Sequence, residues 1–322
     1  MTDAQTTRVA LYDWAEARLF ELGGDRNWHG YTTLEPLWFN IAPLLRELAE
    51  TDPRRFLKLW READYFLWST GRRYERERLG EKAAALARER GEVDHLIHAL
   101  YDSIAESRWH RSKGYDEVAP LLDEAEELVD RTSAPHRYRA MVLHYRSRML
   151  RHFDRLADAL EAASSALSAA QESKDEQVIG LCENALGNVF REKHEYRDAL
   201  AIFQRAGERF ERTKDQEMRA IAARNEGTCH RFLREHGDAL DKYEAAMQLL
   251  SELRLDVESA EVQLCRAETF ASLGDHEDAA RDANAALDTF KEIGAVHLIK
   301  RAEELLRSID IARNGGGAQQ SN

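Results

Sequence analysis

A chain of 322 residues, 43% of them hydrophobic and 33% charged, has room for one large domain or two ordinary ones and needs no staples to bury a core. With 17 Gly and 5 Pro it has too few turn formers for a sandwich or barrel, and a net charge of −13 argues against direct nucleic-acid binding. No apolar run approaches the ~20 residues of a membrane span, the N-terminus lacks the pattern of a signal peptide, and three widely spaced cysteines fit a reducing, cytoplasmic setting.

The abundant Ala, Leu, Glu and Arg are strong helix formers. In chain order, a first helix is expected over 6–22, then a loop at 23–30 carrying Trp28 and His29, then a helix over 33–50 with Pro36 near its first turn. Residues 1–52 are read as an N-terminal helical cap. Asp52-Pro53 is a start signal, an N-cap followed by Pro at the first helical position. Helical pairs should follow from 53 to 313. Trp60, Tyr65, Phe66, Trp68 and Tyr74 crowd the start of this stretch. They suit either a core where irregular repeats begin or a docking surface, to which Trp28 and His29 would add. His95 and His98 stand three apart on one helix, but no third ligand is indicated, so a helix-surface pair and no metal site are expected. A last helix over 296–312 shows Val296, Ile299, Leu306 and Ile309 inward and Lys300, Glu303, Glu304 and Arg307 outward, as an array-ending cap requires. The Gly-rich stretch 314–322 is expected to be a disordered tail.

Self-comparison is more informative. Ala159, Ala199, Ala239 and Ala279 recur every 40 residues, and so do Ala166, Ala206, Ala246 and Ala286. Twelve residues before each first Ala stands a small residue: Ser147, Gly187, Gly227 and Ala267. Four after it come Ala163, Phe203, Tyr243 and Ala283, and eleven after it Ala170, Phe210, Leu250 and Phe290. The first Ala, the residue four later and the Ala seven later share one helical face. Each unit is thus a helical hairpin that must stack on its neighbours to bury that face. Ala239 is assigned to the crowded contact and Ala222 to a less crowded face.

The run Leu186-Gly187-x-x-Phe190, Tyr196-Arg-Asp-Ala199, Phe203, Ala206 resembles the tetratricopeptide repeat. Asn225-Glu-Gly227 with Ala239, Tyr243 and Ala246 matches less fully, because Glu226 replaces the usual Leu. Gly274-Asp-His-Glu-Asp-Ala279 is similar to the family's interhelix turn, and Gly71-x-x-Tyr74 and Gly114-Tyr115-x-x-Val118 look like degenerate copies. The period here is 40, not the common 34, and the closing proline is missing, as in the long-period arrays of bacterial signalling and regulatory proteins. HEAT-type repeats also run to such periods; the small residue before each Ala favours the tetratricopeptide reading. The resemblance implies an all-α fold, a right-handed superhelical solenoid of stacked hairpins.

No phosphate loop, dinucleotide fingerprint, nucleophile elbow or zinc-protease motif is present. No cofactor and no catalysis are expected. The resemblance implies a concave groove lined by first-helix side chains. By register these are His144, Arg148 and Arg151; then Asn184, Asn188 and Arg191; then Arg224, Asn225, Thr228 and Arg231, with Leu264 and Glu268 breaking the pattern. Arg forks suit carboxylates, and Asn both donates and accepts. The set suits either a solvated face with local ion pairs or a groove for an acidic partner. The function expected is a scaffold or adaptor that binds a peptide or protein, with no membrane or nucleic-acid partner and the oligomeric state left open. The alternative is a ligand- or peptide-sensing module that controls a separate ATPase, protease or transcription regulator.

Overall fold

Every element among the described residues is helical. The computed structural model describes residues 3–24, 28–110, 113–253, 255–293 and 296–317. The chain divides into two units, Met1–Lys174 and Asp175–Asn322. Unit 1 contains α1 (Asp3–Leu22), α2 (Trp28–Thr51), α3 (Pro53–Ser69) and α4 (Arg73–Arg90). It continues with α5 (Val93–His98), a π-helical stretch Ala99–Glu106 that joins α6 (Ser107–His110), then α7 (Tyr115–Leu128), α8 (Pro135–His152) and α9 (Leu156–Ser173). Unit 2 holds the hairpins α10 (Glu176–Glu192) with α11 (Tyr196–Arg212), α12 (Gln216–Phe232) with α13 (His236–Leu253), and α14 (Asp256–Leu273) with α15 (His276–Ile293), followed by α16 (Val296–Gly317).

Local chemistry sets these boundaries. Asp52 caps α3 by accepting from the Arg55 amide at 3.2 Å, with Pro53 opening the helix. Asp175 and Asp215 cap α10 and α12 in the same way. The expected loop at 23–30 is shorter than the sequence suggests, because α2 already begins at Trp28. Trp28 and His29 therefore belong to a helical turn, and their side chains lie outside the described residues. Pro36 consequently sits inside α2, as does Pro43. Both prolines face solvent, where the loss of a helical hydrogen bond costs least. At the other end α16 runs to Gly317, and 318–322 lie outside the described residues.

The turns keep a strict beat. Asp154, Lys174, His194, Lys214, Arg234 and Gly274 all have φ between 57° and 81°. After each of 154, 194, 214, 234 and 274, the next amide donates back across the helix end, as from Asp215 to the Phe210 carbonyl at 2.8 Å. A helix of 17–18 residues plus such a turn occupies 20 residues, so a hairpin occupies 40. Only one of these six positions is Gly, although an L-residue in this conformation is strained. Lys174→Gly and Lys214→Gly should each raise stability by up to about 1 kcal/mol, read as an increase in Tm.

The repeat register is realised in packing. All four Ala at the first position, all four residues four later and all four Ala seven later are fully buried. A Cβ on Gly187 would stand 2.7 Å from the Phe203 ring, and one on Gly227 the same distance from Tyr243. In unit 1 the equivalent Ser147 donates its hydroxyl to the Ala159 carbonyl at 2.9 Å. Ala222 is a correction: it is fully buried, packed with Ala206, Phe210 and Met218. A first helix inside a stack contacts the hairpin before it as well as its own partner, so both its faces are crowded.

Two of the three hairpins of unit 2 carry a charged contact at equivalent positions. In α12–α13 Glu226 pairs with Lys242 at 2.6 Å. Forty residues later the signs are exchanged, and Arg266 holds Asp282 at 2.6 Å. Forty residues earlier the same positions are the buried Leu186 and Ile202.

Candidate binding face

The side chains assigned to a groove fall on first helices, and in unit 2 they bond from one first helix to the next. The Asn225 amide donates to Asn184 Oδ1 at 2.9 Å, and Arg191 donates to Asn225 Oδ1 at 3.2 Å. Asn184 and Asn225 are buried; Asn188 and Arg191 are half-buried, and Asn188 donates to the Asn184 carbonyl at 2.8 Å. Thr228 is buried, donates to the Arg224 carbonyl and accepts from the Tyr243 hydroxyl. Asn184, Asn225 and Arg191 thus form a continuous amide ladder between α10 and α12.

Further along, the arginines are matched by carboxylates. Arg224 pairs with Glu261 of α14. Arg231 reaches Glu268 at 2.9 Å, and Arg301 of α16 reaches the same carboxylate at 2.5 Å. Glu268, which breaks the polar-basic pattern in sequence, is thus the shared counter-charge. Three arginines meet two carboxylates here. The sequence missed Glu261 and Arg301, since neither falls in the register used to find the face. Leu264 is fully buried and takes no part. Arg205 and Arg209 of α11 bond to the buried Glu183 and tie α10 to α11.

In unit 1 His144 is buried and Arg148 and Arg151 are half-buried. Arg148 lies over the Trp109 and Tyr145 rings, 5.1 and 5.2 Å from their centroids, and pairs with Glu106 at 3.1 Å. Beside it lies a polar core that sequence gave no reason to expect. The buried Arg76 bonds to Asp64 at 2.7 Å, Asp102 at 2.6 Å and Glu106 at 3.1 Å. Ser103 donates to Asp64 at 2.6 Å and Tyr145 to Asp102 at 3.0 Å. The π-helical stretch supplies Asp102, Ser103 and Glu106, all of which reach into this cluster. Burial pushes the Asp64 carboxyl up, but Arg76 and His98 outweigh it and hold Asp64 well below the usual range. Burial wins at Asp102, which is raised despite Arg76.

His98 and His95 part company. His98 is buried beside Asp64 at 3.2 Å and Asp102 at 3.5 Å, while His95 sits by Glu92. Asp64, His98 and Asp102 converge closely enough to ligate an ion, yet the Arg76 guanidinium already bonds to both carboxylates.

The aromatic residues of the N-terminal third divide as well. Trp60 and Phe66 are fully buried, Tyr65 and Trp68 are half-buried, and Tyr74 is exposed. All three cysteines are free and buried; burial pushes the Cys229 thiol up to about 12, so it stays protonated. No described helix is long and apolar enough to cross a membrane.

Residues 181–252, which contain all three ladder residues, match the tetratricopeptide repeat family. This segment carries tetratricopeptide repeats. No curated protein matches the sequence. Among solved structures, the chain is similar to a Rap protein complexed with competence and sporulation factor, at 14% identity and a TM-score of 0.57, covering 84% of this chain and 80% of that one. Aspartyl phosphate phosphatase F from Bacillus subtilis is similar at 16% identity and a TM-score of 0.52, over 97% and 85% of the two chains. A signal transduction ATPase with a tetratricopeptide repeat sensor from Pyrococcus horikoshii is similar at 12% identity and a TM-score of 0.53, over 97% of this chain and 50% of that one. At these identities the likeness is one of fold.

Proposed function

We propose that the protein is a non-catalytic scaffold or adaptor that holds a peptide, or a segment of a partner protein, against the α10–α12–α14 face. The observation that carries this reading is the amide ladder of Asn184, Asn225 and Arg191, flanked by half-buried arginines. Carboxamides that donate and accept together suit the main chain of an extended segment. Arg231 and Arg301 share one carboxylate, so an acidic group on the ligand meets an excess of positive charge there. Fixed on stacked helices, these groups lose little freedom on binding.

A photo-crosslinking residue at Asn188 or Arg191 should capture the same partner, while one at the exposed Gln204 or Glu208 on α11 should capture none. Arg191→Glu should weaken capture, and so should added salt, since partly exposed charges are screened. Equal capture from α11 would move the contact surface elsewhere. A regulatory sensor is the second reading, supported by the fold shared with a Rap protein complexed with a factor and with an ATPase's tetratricopeptide repeat sensor. It requires that ligand on this face alter the activity of a separate effector. A ligand bound at full occupancy that leaves every captured partner's activity unchanged would exclude it.

A further inference from the structure

The turn between α12 and α13 differs chemically from its sisters. The three hairpins of unit 2 place Phe190, His230 and Phe270 near the first-helix end. Each is followed by two carboxylates: Glu195 and Asp198, Glu235 and Asp238, Asp275 and Asp278. The acidic pair recurs; of the positions 190, 230 and 270, only 230 is a histidine. His230 Nδ1 lies 2.7 Å from Glu235 Oε2, and one ligand atom from each of His230, Glu235 and Asp238 lies within 4.8 Å of the others. His230 and Glu235 are half-buried and Asp238 is exposed, so the group is open to solvent on one side. The backbone holds it in place: Arg234 has φ of 62°, and the Glu235 amide donates to the His230 carbonyl at 2.9 Å. Of the two arginines adjacent to it in sequence, Arg234 is exposed and Arg231 is turned to Glu268.

We propose that His230, Glu235 and Asp238 form a binding site for a divalent transition ion of the zinc class. One imidazole nitrogen with two carboxylate oxygens suits Zn²⁺, Co²⁺ or Ni²⁺, whereas Mg²⁺ and Ca²⁺ favour oxygen alone. The ion takes the position between His230 Nδ1 and Glu235 Oε2, the neutral ring keeps its proton on Nε2, and water completes the tetrahedron. Bound there, it fastens the end of α12 to the start of α13.

The test uses the untagged full chain, zinc for thermal unfolding and cobalt for absorption. Saturating ZnCl₂ should raise Tm by several degrees over the EDTA-treated protein, because an ion held only by the folded state stabilises it. Co²⁺ should produce a visible d–d band. His230→Phe should abolish both responses and leave the metal-free Tm unchanged, since the sister turns already carry Phe there. Asp238→Asn, at an exposed position, should weaken both. The proposal is overturned by a wild-type chain that shows neither response, or by responses that survive intact in either variant.

Discussion

Arg76→Met should destabilise unit 1 by about 3–5 kcal/mol, because it removes the one cation that Asp64, Asp102 and Glu106 share and leaves their charges buried. Urea unfolding at neutral pH reads this directly. The two aspartates should then behave oppositely when made amides. Asp64 has a depressed folded pKa, so its charge stabilises the fold above the unfolded value of about 3.9, and that contribution is lost as pH falls through the folded value. Asp102 has a raised folded pKa, so its charge costs stability at neutral pH, and the cost is lifted as pH falls through the raised value. Asp64→Asn should therefore be strongly destabilising at pH 7. Asp102→Asn should cost little or nothing, because its amide oxygen still accepts from Arg76 and Tyr145, and it should remove part of the wild type's resistance to mild acid. Equal losses in the two variants would contradict this assignment of charge.

The second large effect runs against helix propensity. Ala exceeds Gly by about 1 kcal/mol in a helix interior, yet Gly227→Ala should lose about 1–3 kcal/mol through overpacking. The new Cβ would stand 2.7 Å from the Tyr243 ring and 3.1 Å from the Ala239 carbonyl oxygen. Tyr243 cannot swing aside, being fully buried and bonded through its hydroxyl to Thr228. Gly237→Ala is the matching control: a Cβ there meets nothing within 4 Å, so propensity alone should act and stability should rise. A gain at both sites, read by chemical denaturation, would show that α12 and α13 approach less closely than described.

The hairpins were legible in sequence because a period of 40 is written in residue size, and size decides how near two helices come. Gly187 against Phe203 and Gly227 against Tyr243 are that pattern in space. The candidate face was only half legible. Asn184, Arg224 and Arg231 could be placed by register, but whether a surface Arg is free or matched depends on the neighbouring helix, and Glu261 and Arg301 answer from outside the register. The Arg76 cluster was not legible. Its members are spread from residue 64 to residue 148 and look like ordinary solvated charges. The one local hint was Asp102 and Glu106 standing on the same helical stretch as Leu100, Tyr101 and Ile104, all of them buried. A π-helical turn has no sequence signature that would have sharpened it.

The exchanged charges of the hairpins bear on how the chain avoids tangling with itself. Repeats this alike invite a first helix to close on the wrong second helix, a characteristic failure of repeat proteins. Were α12 to close on α15, Glu226 would face Asp282; were α14 to close on α13, Arg266 would face Lys242. Were α10 to close on α13, Leu186 would cover an ammonium. Among the three hairpins of unit 2, α12 and α14 therefore each meet a like charge on the other's mate, so the discrimination comes from repulsion in the wrong pairs as well as attraction in the right ones. These contacts act as address labels, read while the hairpins form and retained afterwards as ordinary ion pairs.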